Sequence, residues 1–367
     1  MQDKLRFQIT SKQLIFIIVG SLVGTGFFIL PREASADAGP DAWIAVLLGA
    51  LVPLLSFFLI ERLGRRFPGL TVVDQSRLLF GKIFGSILAG GFIIYAILIE
   101  SMILRNFNEI TSVFLLPRTP FAVISLLTIL AVIYIVSRGI KVIGRLNEVI
   151  FYLILFFMVA LLPSLSRIDG NNILPVGGAG LSPILKGTLT SLFAYSGTEM
   201  LFVLYPMVER KDEVLKAGLI GIGLVAFFYL LFTVICLLVF GSKGMQRMMW
   251  PVLMLMKVTD IPVLERMEFF FTVLWMGLGP RPIINLFFGA SYSLLQLLNL
   301  DLHKHYKLVV VATGLAIYAA SLFPKNILEA FKLSEIIGYG FLVVGIGYPL
   351  LFFIAILLRG GKVSKNQ

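Results

Sequence analysis

The residues that metal centres and nucleophilic active sites draw on are almost missing from this sequence. Cys236 is the only cysteine in 367 residues, which excludes an internal disulfide and a thiolate metal cluster. The two histidines, His303 and His305, flank Lys304 in one short polar stretch. Two neighbouring histidines fall short of a zinc site and fit a solvated turn. No phosphate loop of the G-x-x-x-x-G-K-[ST] form, no H-E-x-x-H helix and no G-x-S-x-G elbow occurs. These absences argue against an enzyme and imply no cofactor and no metal. Charge is scarce too, at 14% of residues against roughly 25% in soluble domains.

What fills the sequence instead is apolar, at 58% of residues. Runs of about 20 apolar residues, the length that crosses a bilayer, fall at 13–33, 42–60, 83–104, 119–137, 147–166, 184–208, 217–240, 267–299, 307–324 and 334–358. The expectation is an all-α polytopic membrane protein with ten transmembrane helices, residues 1–367 forming a single transmembrane domain. The densest basic stretches are Arg62, Arg65, Arg66, Arg77 and Lys82, then Arg138, Lys141 and Arg145. Basic loops stay inside, so these stretches and, with an even number of spans, both termini are expected in the cytoplasm. That bias accounts for the net charge of +11 without a nucleic-acid partner. Lys4 and Arg6 ahead of an apolar run, with Ala34-Ser35-Ala36 beyond it, imitate a secretory signal. The run is too long for that, and Pro31-Arg32-Glu33 intervenes, so it reads as a retained first span.

That first span contains its own interruption, "VGSLVGTGFFILP", with Gly20, Gly24, Thr25 and Gly26. Each glycine costs a helix about 1 kcal/mol relative to alanine, and lipid offers no partner for a freed backbone amide. Secondary transporters built from inverted repeats interrupt the first helix of each half, where unwound backbone meets the solute. If the spans divide five and five, 13–166 and 184–358 are the two repeats. The counterpart of the first span is then the sixth, "LTSLFAYSGTEMLFVLYP", which carries Tyr195, Ser196, Gly197, Thr198 and Glu199 in its middle.

Three pieces, "GTGFFILPREASADAGPDAWIAVLLG" (24–49), "FAYSGTEMLFVLYPMVERKDE" (193–213) and "WPVLMLMKVTDIPVLERMEFFFTVLWM" (250–276), are the most telling of a family resemblance that covers nearly the whole chain. In them the chain resembles the B-subunit permeases of spore germinant receptors, a branch of the amino acid-polyamine-organocation superfamily. The resemblance implies a LeuT-like fold of ten helices with the first and sixth broken. It also implies a membrane subunit that binds a small-molecule germinant, an amino acid in the typical case, and signals the start of germination. The implied partners are an A-type subunit, a C-type lipoprotein subunit and membrane lipid, in the inner membrane of the spore. A stand-alone amino acid permease working by alternating access is the alternative.

The family picture seats the ligand against Gly24, Thr25 and Gly26 on one side and Tyr195, Ser196, Gly197 and Thr198 on the other. Helix N-termini attract a carboxylate, and freed carbonyls and hydroxyls suit an ammonium group. Gly26→Leu is expected to silence ligand response while leaving the fold intact. Charge within spans is expensive and marks function by default, which singles out Glu100, Glu199 and Arg281 as a buried charge network. Arg281 lies in "GLGPRP" (277–282), a second interruption, and cannot shed its proton. Its expected partner is Glu199, with Glu100 or a ligand carboxylate as alternatives. Proton-coupled relatives in the superfamily place a lysine in the fifth span, whereas 149–166 holds no ionisable group except Tyr152. The short apolar stretch "MMWPVLMLM" (248–256) is expected either as a lid over the outer vestibule or as a surface helix anchored by Trp250.

Overall fold

The computed structural model describes residues 8–160, 165, 167–258 and 267–359. Among them the chain is helical, and its one strand-like pairing is an isolated parallel bridge between Ile9 and Val208. The outer end of the expected fifth span (161–164 and 166), residues 259–266 of the expected outer loop and both chain ends (1–7, 360–367) lie outside the described residues.

Helix α1, Ser11–Leu22, opens on a capping box in which Thr10 and Gln13 each bond the other's backbone amide. After a gap come α2 (Gly26–Ala38), α3 (Ala42–Gly49) and α4 (Leu51–Arg66). The chain turns between α2 and α3 at Gly39, whose φ of 54° suits glycine. Helix α5, Val72–Phe114, is the longest at 43 residues and kinks at Gly81. Helices α6 (Phe121–Val136) and α7 (Ile140–Ala160) meet at 115°. A second interrupted stretch follows: α8 (Leu181–Thr190), α9 (Leu192–Tyr195), a 3-10 turn at Thr198–Met200, and α10 (Leu201–Leu204). Helix α11 (Val214–Gln246) leads to the short α12 (Pro251–Val258). The remainder is α13 (Met267–Leu278), α14 (Arg281–Leu297), α15 (Leu302–Ser321), α16 (Ile327–Phe341) and α17 (Tyr348–Leu358), the last two joined through a π turn.

Among the described residues, four helical runs are long and apolar enough to cross a membrane: Gly26–Arg66, Val72–Phe114, Lys211–Gln246 and Ile327–Leu358. The bent pair of α6 and α7 makes a fifth. The helices differ from the expected 20-residue spans for local reasons. The expected 83–104 is the middle of α5, which starts earlier because Thr71 and Asp74 cap it in the polar stretch. The expected 13–33, 184–208 and 267–299 are each divided, at Val23–Thr25, at Ser196–Gly197 and at Gly279–Pro280. Helix α15 carries His303, Lys304, His305 and Lys307 in its first turns, which dilutes its apolar character.

Helix α5 is the central post, packed against α14, α15 and α16, while α11 runs along both α1 and α2. Helix α1 fills the space between α7, α11 and α14. Large apolar side chains such as Ile83, Phe84, Ile87, Leu127 and Tyr134 face outward. That surface suits lipid, because the backbone behind it is already satisfied within helices.

Candidate functional site

The first break begins where α1 ends at Leu22. Val23 leaves the helical region at φ −78° and ψ 87°, and α2 resumes only at Gly26. In the second, the Ser196 hydroxyl donates to the Phe193 carbonyl at 2.7 Å, a local bond that competes with the helix ladder. Ser196 is extended, and Gly197 follows at φ 133°, a conformation L side chains rarely adopt.

The two breaks face each other backbone to backbone. A Cβ on Gly197 would lie 3.0 Å from the Ser21 carbonyl oxygen, and one on Gly26 would lie 2.8 Å from the Ala194 Cα. The expectation that Gly26→Leu spares the fold is therefore corrected, since a side chain there must part backbone from backbone. Gly24 is closed off by the Pro282 ring, whose Cγ would lie 2.8 Å from a Cβ there. Outside the breaks, the chain ahead of α1 is stitched to the end of the second interrupted stretch. Ile9 N–H donates to the Met207 carbonyl and Glu209 N–H to the Ile9 carbonyl, both at 3.0 Å.

A tyrosine that the sequence did not single out joins the two. The Tyr229 hydroxyl, on α11, stands 2.6 Å from the Leu22 carbonyl and 3.0 Å from the Ala194 carbonyl, its one proton shared between the two helix ends. Its ring stacks on Phe27 and meets Tyr195 at 5.0 Å. Phe28 against Trp275, with centroids 4.4 Å apart, adds an aromatic contact between α2 and α13.

The expected ligand residues divide into two sets. Thr25 and Thr198 are fully buried, and their hydroxyls have no hydrogen-bond partner among the described residues. Tyr195 and Ser196 are already committed: the Tyr195 hydroxyl donates to the Val46 carbonyl at 2.8 Å, and Ser196 bonds Phe193. Gly24, Gly26 and Gly197 act through close packing, and the Gly197 amide also donates to Glu199 Oε2 at 2.8 Å.

The three buried charges do not form the expected network. Glu199 is satisfied by that Gly197 amide and by the Tyr95 hydroxyl, which donates to Oε1 at 3.1 Å. Arg281 is wholly buried and makes no ion pair among the described residues. Its Nε donates to the Leu278 carbonyl at 2.8 Å. In a regular helix that carbonyl would take the amide of residue 282, which is proline and has none. Among the described residues Nη1 and Nη2 have no acceptor, although the guanidinium lies within electrostatic reach of Tyr229. Both carboxylate oxygens of Glu100 are likewise buried without a partner among the described residues. The pairing of Arg281 with Glu199 is thus replaced by a carboxylate held within the second break and a guanidinium held by a helix end.

Polar groups missed in the sequence lie just below the first break. Asn147 on α7 and Asn285 on α14 exchange amide bonds at 2.8 and 3.3 Å, and Asn285 Nδ2 also donates to Ser21 Oγ at 3.0 Å and the Ile17 carbonyl at 3.2 Å. A Cβ on Gly20 would lie 1.8 Å from Asn147 Oδ1. At the other end of α1, Lys12 bonds Glu148 on α7 at 2.9 Å.

The "AGPDAW" stretch also finds its reason. The Asp41 carboxylate is buried and accepts from the Gly177 and Ala179 amides at 2.7 and 2.9 Å, pinning the loop ahead of α8. Helix α12 packs against α2, and Gln246 donates to the Ser35 carbonyl at 2.8 Å. Trp250 is buried against Phe114, so it is no exposed surface anchor.

A helical bundle with two interrupted stretches apposed at its centre is the architecture of secondary transporters. Solved structures agree on the fold. The chain is similar to a Na+-coupled sialic acid symporter at TM-score 0.67 and 12% identity, with 98% of this chain and 91% of that one covered. It is similar to a nucleobase-cation-symport-1 family transporter at TM-score 0.65 and 13% identity, covering 93% and 79%.

The sequence comparisons are narrower. Residues 8–330 match the family described as "Spore germination protein". Spore germination protein YndE of Bacillus subtilis is 30% identical, covering 95% of this chain and 96% of that protein, and spore germination protein B2 of the same organism is 26% identical over 99% of each. A branched-chain amino acid permease, BcaP of Lactococcus lactis, is 25% identical over 64% of this chain and 56% of its own. The chain belongs to the spore germination permease family, that of the B-type membrane subunits of spore germinant receptors.

Proposed function

We propose that this subunit binds a small germinant between its two helix breaks and passes the event on as a change in the balance of two conformations. The observation that carries the proposal is Tyr229, whose hydroxyl touches the Leu22 and Ala194 carbonyls and so ties both breaks to one point. Beside it are the unused hydroxyls of Thr25 and Thr198. In this proposal the chain makes ten spans in two inverted repeats, 13–166 and 184–358, each divided stretch counting as one span. With both termini cytoplasmic, the basic stretches at 62–82 and 138–145 face inward. The working assembly in this proposal includes A-type and C-type lipoprotein subunits in the inner membrane of the spore. An amino acid is the ligand that suits the site best.

The test is a thermal-shift panel of amino acids, sugars and nucleosides on the purified chain. One class of solute should stabilise it, and the shift should weaken in Thr25→Val and Thr198→Val. A panel that gives no shift, or a shift indifferent to both threonines, contradicts this site.

The symporter folds and the match to BcaP favour a second reading, transport by alternating access. Uptake of labelled amino acid into proteoliposomes containing this chain alone supports it. Binding without uptake supports the receptor.

A further inference from the structure

Arg281 is a charged feature of the site that the fold alone leaves unexplained. Its guanidinium is fully buried, its only bond is from Nε to the Leu278 carbonyl, and Nη1 and Nη2 have no acceptor among the described residues. Arginine cannot lose its charge to relieve this. Glu199, the acid nearest in expectation, has both oxygens engaged by Tyr95 and Gly197. The guanidinium also lies beside the breaks. It is within electrostatic reach of Tyr229, which touches both, and its neighbour Pro282 packs on Gly24.

We infer that Arg281 is the anchor for the carboxylate of an α-amino acid, seated between the two breaks with Nη1 and Nη2 as the fork that receives it. This rests on the proposed site and names its ligand class. A single guanidinium matches a carboxylate in charge and in planar geometry, whereas a phosphate calls for more positive charge. An uncharged sugar or nucleoside would leave the cation as it is. The opposite polarity for the ligand's ammonium is carried by α5. The two oxygens of Glu100 have no partner among the described residues, and Glu100 lies seven residues, two helical turns, before Phe107, whose ring packs at Gly279. Glu100 is therefore on the face of α5 that turns toward the Pro280 break.

The experiment measures binding of the twenty L-amino acids, inosine and glucose to the purified full-length chain. For any amino acid that binds, its carboxamide is measured as well. At least one amino acid should bind, its carboxamide at least tenfold more weakly, and Arg281→Gln should reduce its affinity at least tenfold. Arg281→Lys, which keeps the charge and loses the fork, should fall between. The thermal midpoint of each empty variant reports folding, and that of Arg281→Gln should not fall below the parent's. An amino acid that binds Arg281→Gln or is replaced by its carboxamide within twofold overturns the anchor. Binding of inosine or glucose alone, weakened by Thr25→Val, overturns the anchor and leaves the break site standing. Binding that needs Arg281 but ignores Thr25 and Thr198 keeps the anchor and removes the breaks. No binding by any probe overturns both.

Discussion

The Tyr229 hydroxyl sits 2.6 Å from the Leu22 carbonyl, so the acceptor that ends α1 is met by a side chain from α11 as well as by the Gly24 amide at 2.9 Å. The same hydroxyl reaches Ala194 at 3.0 Å. Tyr229→Phe keeps the ring stack on Phe27 and removes a donor from two buried carbonyls, of which Leu22 retains the Gly24 amide. An unmet buried polar group costs about 1–3 kcal/mol. A thermal midpoint lowered by that order is expected, together with weaker ligand binding. An unchanged midpoint would show that the two breaks hold together without the hydroxyl.

Gly26 is expected to tolerate no side chain at all. Its Cβ would meet Ala194 backbone at 2.8 Å, and backbone cannot swing aside as a side-chain tip can. Gly26→Ala should destabilise by about 1–3 kcal/mol, the range for an overfilled core. Gly223, with nothing within 4 Å of its would-be Cβ, serves as the control. Equal denaturation curves for Gly26→Ala and Gly223→Ala would remove the close contact between the breaks.

Arg281→Gln is expected to leave the empty protein as stable as before or more so. A lone guanidinium at the bilayer centre costs at least ~2.5 kcal/mol, and Arg281 has no carboxylate to lose among the described residues. The effects of Glu199→Gln and Arg281→Gln should add within about 0.5 kcal/mol, as for residues without a shared contact. Coupling above that in a double-mutant cycle would restore the ion pair expected from the sequence.

The Asn147–Asn285 pair should behave in the opposite way. Each amide satisfies the other, and together they hold Ser21 and Ile17 of α1. Asn147→Ala and Asn285→Ala should each destabilise, and the double variant should cost less than the sum, with a coupling of about 0.5–3 kcal/mol. Additive losses would mean that the pair contributes through packing alone.

How far the sequence could be read depends on the range of the forces involved. Helix breaks are local events, and Gly24, Gly26 and Gly197 mark them because close approach or positive φ excludes a side chain. The apolar runs were legible for the same reason, although capping by Thr71 and Asp74 carried α5 beyond its apolar middle. Partners across the bundle were not legible. Tyr229 stands in an apolar stretch like many other tyrosines, and only the fold brings it to Leu22 and Ala194. Glu199 was drawn to Arg281 by charge. The nearer claims of Tyr95 and the Gly197 amide required the geometry of the second break.

The most direct measurement is the affinity of the amino acid with the largest thermal shift for the parent chain, Thr25→Val and Thr198→Val, by titration calorimetry. The two hydroxyls lie on different breaks and have no partner within the described protein, so their removal costs the empty fold nothing in hydrogen bonding. A ligand held between the breaks should lose affinity in both variants, by about 0.5–1.5 kcal/mol for each bond, with thermal midpoints of the empty proteins unchanged. A ligand that binds all three proteins equally would contradict a site between the two breaks.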